Sequence, residues 1–196
     1  MSSGYLDITV GPMYSGKTEK LIQIYYYLNP EEKVITINHK LDGGHNEHVL
    51  ISHNGNQVPC ISIDDLSDAW HNENAKYHDE LHEHDYLLIN EAQFFDNLYE
   101  TIVDMLRYRK KIFLYGLDGD FKQEKFGEIL DLVPLCDHIE KLKSPCMYCG
   151  GIAIFTHRVT NQQDQVIVGP SGYETICRGC LTKYKNAKIN EIDKVD

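Results

Sequence analysis

The chain has no apolar run of the roughly 20 residues that a bilayer-spanning helix needs. Nor does it have a basic start followed by a cleavage-site pattern, since Met1 to Tyr5 lead straight into a strand. Both absences predict a cytoplasmic protein with no membrane partner. Basic charge is scarce as well: 19 Lys and Arg stand against 30 Asp and Glu, a formal net charge of −11. Proteins that grip phosphate backbones usually carry a basic face, so nucleic acid is not the expected partner, although a local basic patch is left open. The ten histidines offset this charge only below their usual pKa. The guanine-reading tetrapeptide N-K-x-D is missing, because Asn38-His39-Lys40-Leu41-Asp42 has one residue too many and follows the wrong strand. That lack and the acidic balance argue against a small GTPase or a nucleic-acid motor. Internal repeats and low-complexity tracts are absent too.

What is present reads as an ordinary globular chain. Hydrophobic residues at 42% and charged residues at 25% exclude a disordered polymer. A length of 196 residues suffices for one α/β domain with a small appendage. Leu6, Ile8 and Val10 alternate as a first strand, and beyond a glycine-bearing turn Leu21, Tyr25 and Leu28 recur at helical spacing. Pro30 disfavours helical geometry at Asn29 and ends that helix. Residues 34–37 read as a second strand, whereas residues 42–57, rich in Gly, His and Asn without a period, read as a mobile loop. A strand at residues 86–89 precedes helical spacing at Leu98, Ile102, Met105 and Leu106, and residues 112–117 make a further strand. This alternation predicts an α/β fold, a parallel sheet with helices on both faces. Beyond Pro145 the texture changes to cysteine knuckles around β-rich segments at 152–159 and 165–168. The expected division is therefore an α/β domain at 1–143 and a smaller unit at 144–196.

Gly11-Pro12-Met13-Tyr14-Ser15-Gly16-Lys17-Thr18 is a complete G-x-x-x-x-G-K-[ST] phosphate loop. Its glycines let backbone N–H groups wrap a polyphosphate that side chains would crowd. Lys17 supplies a point charge at the β- and γ-phosphates, and Thr18 offers a hydroxyl to Mg²⁺. The helix that begins at Lys17 adds its positive dipole end. A chance glycine turn is the plain alternative, and the flanking strand and helix weigh against it.

The strand at 86–89 closes with Asn90-Glu91-Ala92-Gln93. Phosphate-loop enzymes place a carboxylate here for the Mg²⁺ hydration shell. Asn90 takes that place and can bond a metal-bound water without adding charge. Glu91 is the candidate base for an attacking hydroxyl, and alternation along the strand sends it and Asn90 to opposite sides. Two polar residues capping a strand is the bland alternative. Among the six cysteines, Cys146-x-x-Cys149 and Cys177-x-x-Cys180 form paired knuckles that suit a closed, structural Zn²⁺ site. Redox-active cysteines are the alternative for that set. Cys60 and Cys136 read as small apolar residues.

Taken in order, the phosphate loop, Glu91-Ala92-Gln93-Phe94-Phe95, Leu117-Asp118-Gly119-Asp120-Phe121, Phe126-Gly127 and the four cysteines resemble the zinc-containing thymidine kinases from Gly4 to about Leu181. The resemblance implies an ATP-dependent kinase acting on thymidine, with Glu91 deprotonating the 5′-hydroxyl of deoxyribose. It sets Asn90 and Gln93 with residues 11–18 at the nucleotide phosphates. Met13, Phe94, Leu117 and Phe121 would wall the base pocket, while Phe126 is read as core. Between the knuckles, a lasso would cover the nucleoside through Thr156, Asp164, Gln165, Val166, Ile167, Val168 and Tyr173. A homotetramer and feedback inhibition by thymidine triphosphate (dTTP) are further implications. Two departures stand out: Asn90 replaces the family's acidic residue, and Asp42-Gly43-Gly44 lacks the arginine of its Asp-x-Arg. Lys40 or His45 could compensate for that arginine. A regulator of the same fold with reduced turnover is the alternative these departures leave open.

Overall fold

The computed structural model describes residues 3–28, 32–42, 48–160, 165 and 172–192. The chain runs β1 (Tyr5–Val10), α1 (Lys17–Tyr27), β2 (Val34–His39), β3 (Val49–Ile51), β4 (Gln57–Pro59), β5 (Ile61–Ile63), α2 (Leu66–His71) and α3 (His78–Glu83). It continues through β6 (Tyr86–Ile89), α4 (Leu98–Arg107), β7 (Lys111–Gly116) and β8 (His138–Lys141). Six of these strands form one parallel sheet in the order β5-β2-β6-β7-β1-β8.

Alternation along the strands explains why both faces are covered. Leu87 and Ile89 of β6, with Ile112 and Leu114 of β7, pack against Trp70, Leu81, Leu98, Ile102 and Met105 of α2, α3 and α4. The intervening Leu88 and Tyr115 face the other way, onto Leu21 and Ile22 of α1 and Leu50 and Val58 of the β3–β4 hairpin. Because β6, β7 and β1 are neighbours, the loops after their carboxyl ends lie side by side. Those loops carry Glu91, Leu117 and the phosphate loop.

Two expectations need correcting. Residues 42–57 are not a single mobile loop: Leu50 pairs with Val58 and Ile51 with Gln57 in an antiparallel hairpin that turns at Gly55 (φ 85). Leu50 and Val58 are its buried apolar residues, too few to show a period. Gly43, Gly44 and His45 lie outside the described residues, as do Asn29 and Pro30. The β-rich run at 152–159 is broken at Ile154, and of 165–168 only Gln165 is described, outside any strand. Strands β5 and β8 and helices α2 and α3 are too short for periodicity to find. Even so, α2 carries a local signal, since Asp65 caps it by accepting a hydrogen bond from Asp68 N at 2.8 Å.

The C-terminal part comprises β9 (Ser144–Pro145), β10 (Ile152–Ala153), β11 (Phe155–Arg158), β12 (Tyr173–Ile176) and α5 (Arg178–Ile192). Its own small core is Cys146, Ala153, Ile176 and Leu181. No helix among the described residues is long and apolar enough to cross a membrane.

Candidate active site

The phosphate loop leaves β1 and enters α1 through Gly16, whose φ of 87° is a left-handed value that glycine adopts without strain. Lys17 is buried there, its Nζ donating to the carbonyls of Gly11 (3.2 Å) and Pro12 (2.8 Å). Desolvation lowers its pKa, while the carboxylates of Glu91, Asp118 and Asp42 pull in the opposite direction.

Glu91 turns off the end of β6 in a left-handed conformation, φ 51°, which costs a non-glycine residue about 1 kcal/mol. Desolvation raises its carboxyl above the usual range and the charge of Asp42 adds to that, against Lys17 and a hydrogen bond from Gln93. The Gln93 amide is held at both ends: Nε2 donates to Glu91 Oε2 at 2.5 Å, and Oε1 accepts from Leu117 N at 2.9 Å. Asn90 turns the other way. Its Nδ2 donates to Asn38 Oδ1 (2.9 Å), and Asn38 Nδ2 donates to Asp42 Oδ2 (2.9 Å). Its Oδ1 is buried with no partner among the described residues.

A cleft of about 700 Å³ brings Met13, Tyr14, Ser15, Gly16, Lys17 and Thr18 together with Glu91. Phe94, Leu117, Phe121, Thr156, Gln165 and Tyr173 line the same space. Gly11, Pro12, Asn90 and Gln93 sit behind its wall rather than on it. Asp164, Val166, Ile167 and Val168 lie outside the described residues. Phe126 is largely buried but also borders the cleft, edge-on to Phe94 with ring centroids 5.5 Å apart. The C-terminal unit is tied to the loop by Met13 N donating to Thr156 Oγ1 (3.1 Å) and by Ser144 Oγ donating to Tyr14 O (3.1 Å).

Sequence reading missed three features. The hairpin residues 51–54 line the cleft beside Asp42, which the sequence offers only as the start of Asp42-Gly43-Gly44, and nothing in a polar loop marks the hairpin residues out. Asn38 enters only through its partners Asn90 and Asp42. Arg158 is 4% exposed, with its guanidinium 3.7 Å from the Phe121 ring centroid and 4.9 Å from that of Tyr173. A lone arginine in a β-rich run was the available signal for it.

In the C-terminal unit the sulfurs of Cys146, Cys149, Cys177 and Cys180 all lie within 4.8 Å of one another. Tetrahedral zinc with bonds near 2.3 Å sets sulfurs about 3.8 Å apart, and Cys149 and Cys177 are 3.8 Å apart. Burial alone would raise the Cys146 thiol, but N–H groups of Cys177, Tyr148 and Cys149 outweigh it and lower the thiol to about 6. The donor set therefore fits a closed thiolate metal site.

Comparison with known proteins agrees with this geometry. The protein-family model described as "Thymidine kinase" matches residues 4–181. A thymidine kinase of Yaba monkey tumor virus is 33% identical over 187 residues, covering 94% of this chain and 98% of that protein. One from Mycoplasma mobile is 29% identical over 194 residues, 96% and 92% of the two chains. Thymidine kinase 1 of Dictyostelium discoideum is 29% identical over 193 residues, 94% and 80% respectively. Matched along most of its length by this family, the chain belongs to the thymidine kinases.

Proposed function

We propose that this chain transfers the γ-phosphoryl group of ATP to the 5′-hydroxyl of thymidine, giving thymidine monophosphate. The observation that carries the reading is a single cleft lined by a complete phosphate loop, by Glu91, and by Phe121, Leu117, Thr156 and Tyr173. The 5′-oxygen attacks the γ-phosphorus while its proton passes to Glu91. The bond from that phosphorus to the β–γ bridging oxygen breaks, and ADP departs with the electron pair. A carboxylate of raised proton affinity is the better acceptor for this proton. Lys17 and the loop N–H groups take up the charge that spreads over the phosphoryl oxygens.

Mg²⁺ entering with ATP would supply further charge neutralisation at the phosphates. Thr18 would hold it directly and Asn90 through a water, and the buried Oδ1 of Asn90, without a partner among the described residues, is an acceptor that fits. Met13 and Phe94 complete the base pocket, and the positions 164–168 belong to the same nucleoside contacts. Zinc on the four cysteines is structural, holding residues 144–196 as a unit separate from 1–143. Thymidine triphosphate inhibits in this reading, because one molecule places its base in the pocket and its phosphates on the loop. A cytoplasmic homotetramer belongs to the same reading and rests on the family resemblance alone.

The test is ATP consumption with thymidine, deoxyuridine and deoxycytidine, for the native chain and for Glu91→Gln. Thymidine-dependent turnover should fall by about 10²–10⁴ in the variant, with ATP affinity little changed. Native protein that binds ATP yet turns over none of the nucleosides would leave the regulator reading standing instead.

A further inference from the structure

Gln93 lies one residue from Ala92 at the bottom of the Glu91 turn and is 3% exposed. The orientation of its amide is fixed by chemistry. Leu117 N is a donor, so the amide atom it meets at 2.9 Å is the oxygen, and the nitrogen is left facing Glu91 Oε2 at 2.5 Å. Glycines abut both ends of the residue, Gly116 at the side-chain amide and Gly127 at the backbone carbonyl. A Cβ on Gly116 would stand 2.6 Å from Gln93 Oε1, and one on Gly127 would stand 2.2 Å from Gln93 O. The amide therefore has one place to be, and it does not line the cleft.

We infer that Gln93 is the positioning residue for the Glu91 base, acting through the carboxylate and not on the nucleotide. Its N–H engages Oε2 and leaves Oε1 as the oxygen open to the 5′-hydroxyl. The same bond holds Glu91 in its left-handed backbone against the pull of that strain. Through Leu117 N it also couples the base to the end of β7, the strand end that carries a wall of the nucleoside pocket. A donor to the charged form of a carboxylate keeps it ionised, which a buried base beside Asp42 requires at neutral pH.

This inference rests on the kinase reading, and the experiment separates the two. The native full-length chain is first assayed with ATP and thymidine; no turnover there defeats the kinase reading itself. Gln93→Met then removes both amide contacts at similar length, and Gln93→Glu keeps the acceptor for Leu117 N while replacing the donor with a second acid. The acid limb of the kcat–pH profile should move upward in the order native, Gln93→Met, Gln93→Glu, by about one unit or more in the last. Turnover at neutral pH should drop about tenfold or more, while the dissociation constant of ATP stays within about twofold. That retained ATP binding also reports that the variants are folded. An acid limb that does not move, or ATP affinity that falls as far as turnover does, overturns the assignment.

Discussion

Asn90→Asp installs the carboxylate that phosphate-loop enzymes place here for the Mg²⁺ hydration shell, and charge alone predicts tighter Mg²⁺ and faster turnover. The hydrogen bonds predict otherwise. Asn90 and Asn38, 1% and 5% exposed, form a directed chain in which Asn90 donates to Asn38 and Asn38 donates to Asp42. A carboxylate at position 90 cannot donate. If Asn38 keeps its orientation, its oxygen faces a carboxylate; if it flips, its oxygen faces Asp42. One of the two contacts is lost either way, and leaving a buried group unsatisfied costs about 1–3 kcal/mol. At 1.36 kcal/mol per unit, that raises the pKa of the introduced carboxyl by about one to two units, because only the protonated acid can donate to Asn38. With the folded pKa above the unfolded one, the penalty is full above the folded pKa and is relieved as pH falls through it. Urea unfolding at pH 7.5 should show the variant about 1–3 kcal/mol less stable, and at about pH 4, close to the unfolded pKa, most of that gap should close. The added charge also raises Glu91 further, so the acid limb of turnover shifts upward and the rate at pH 7 does not rise. A variant as stable as the native chain at both pH values, with faster turnover and a lower Mg²⁺ requirement, would refute the directed chain as what position 90 must preserve.

Removing metal with a strong chelator should loosen β11 and β12, because the buried C-terminal core among the described residues is small, Cys146, Ala153, Ile176 and Leu181 with Phe155 packed against it. Thymidine affinity should then fall at least several-fold further than ATP affinity, as measured by calorimetry, and equal losses would count against it. Gly127→Ala should cost more stability than Gly150→Ala, by about 1 kcal/mol or more in thermal unfolding. Both positions have φ near 60–70°, but only at 127 does a Cβ meet backbone, 2.2 Å from Gln93 O. Equal losses would mean that the Gly127–Gln93 contact carries no strain.

The fold is legible where chemistry is repeated or local. Strand β1, the loop at 11–18 and helix α1 form a sequence-contiguous motif, and the four cysteines announce themselves in pairs. Helix α4 is long enough to show its period in Leu98, Ile102 and Met105. What stays hidden depends on partners far apart in the chain. Asn38 and Asn90 are hydrogen-bonded across neighbouring strands β2 and β6, Gln93 meets Leu117 across β6 and β7, and Arg158 meets Phe121 only after the C-terminal unit docks. Asparagine and glutamine have no sequence pattern that says whether they face a ligand or one another.

The electrostatics of the cleft explain why such neutral amides matter. Lys17 is a buried cation whose charge three carboxylates, Glu91, Asp118 and Asp42, help to maintain. Asp118 is itself paired with Lys141, which leaves Glu91 and Asp42 as the two carboxylates that repel each other. A triphosphate on the loop adds negative charge beside them and raises the proton affinity of Glu91 again. In the proposed mechanism that increment strengthens proton uptake by Glu91 when the nucleotide is in place, provided the carboxylate is still ionised. Desolvation and Asp42 push toward protonation; Lys17 and the Gln93 donor push back. Asp42, held in turn by Asn38 and Asn90, is thus part of the same balance. A neutral residue at position 90 keeps a third carboxylate out of it, which favours the ionised Glu91 that the proposed proton transfer needs.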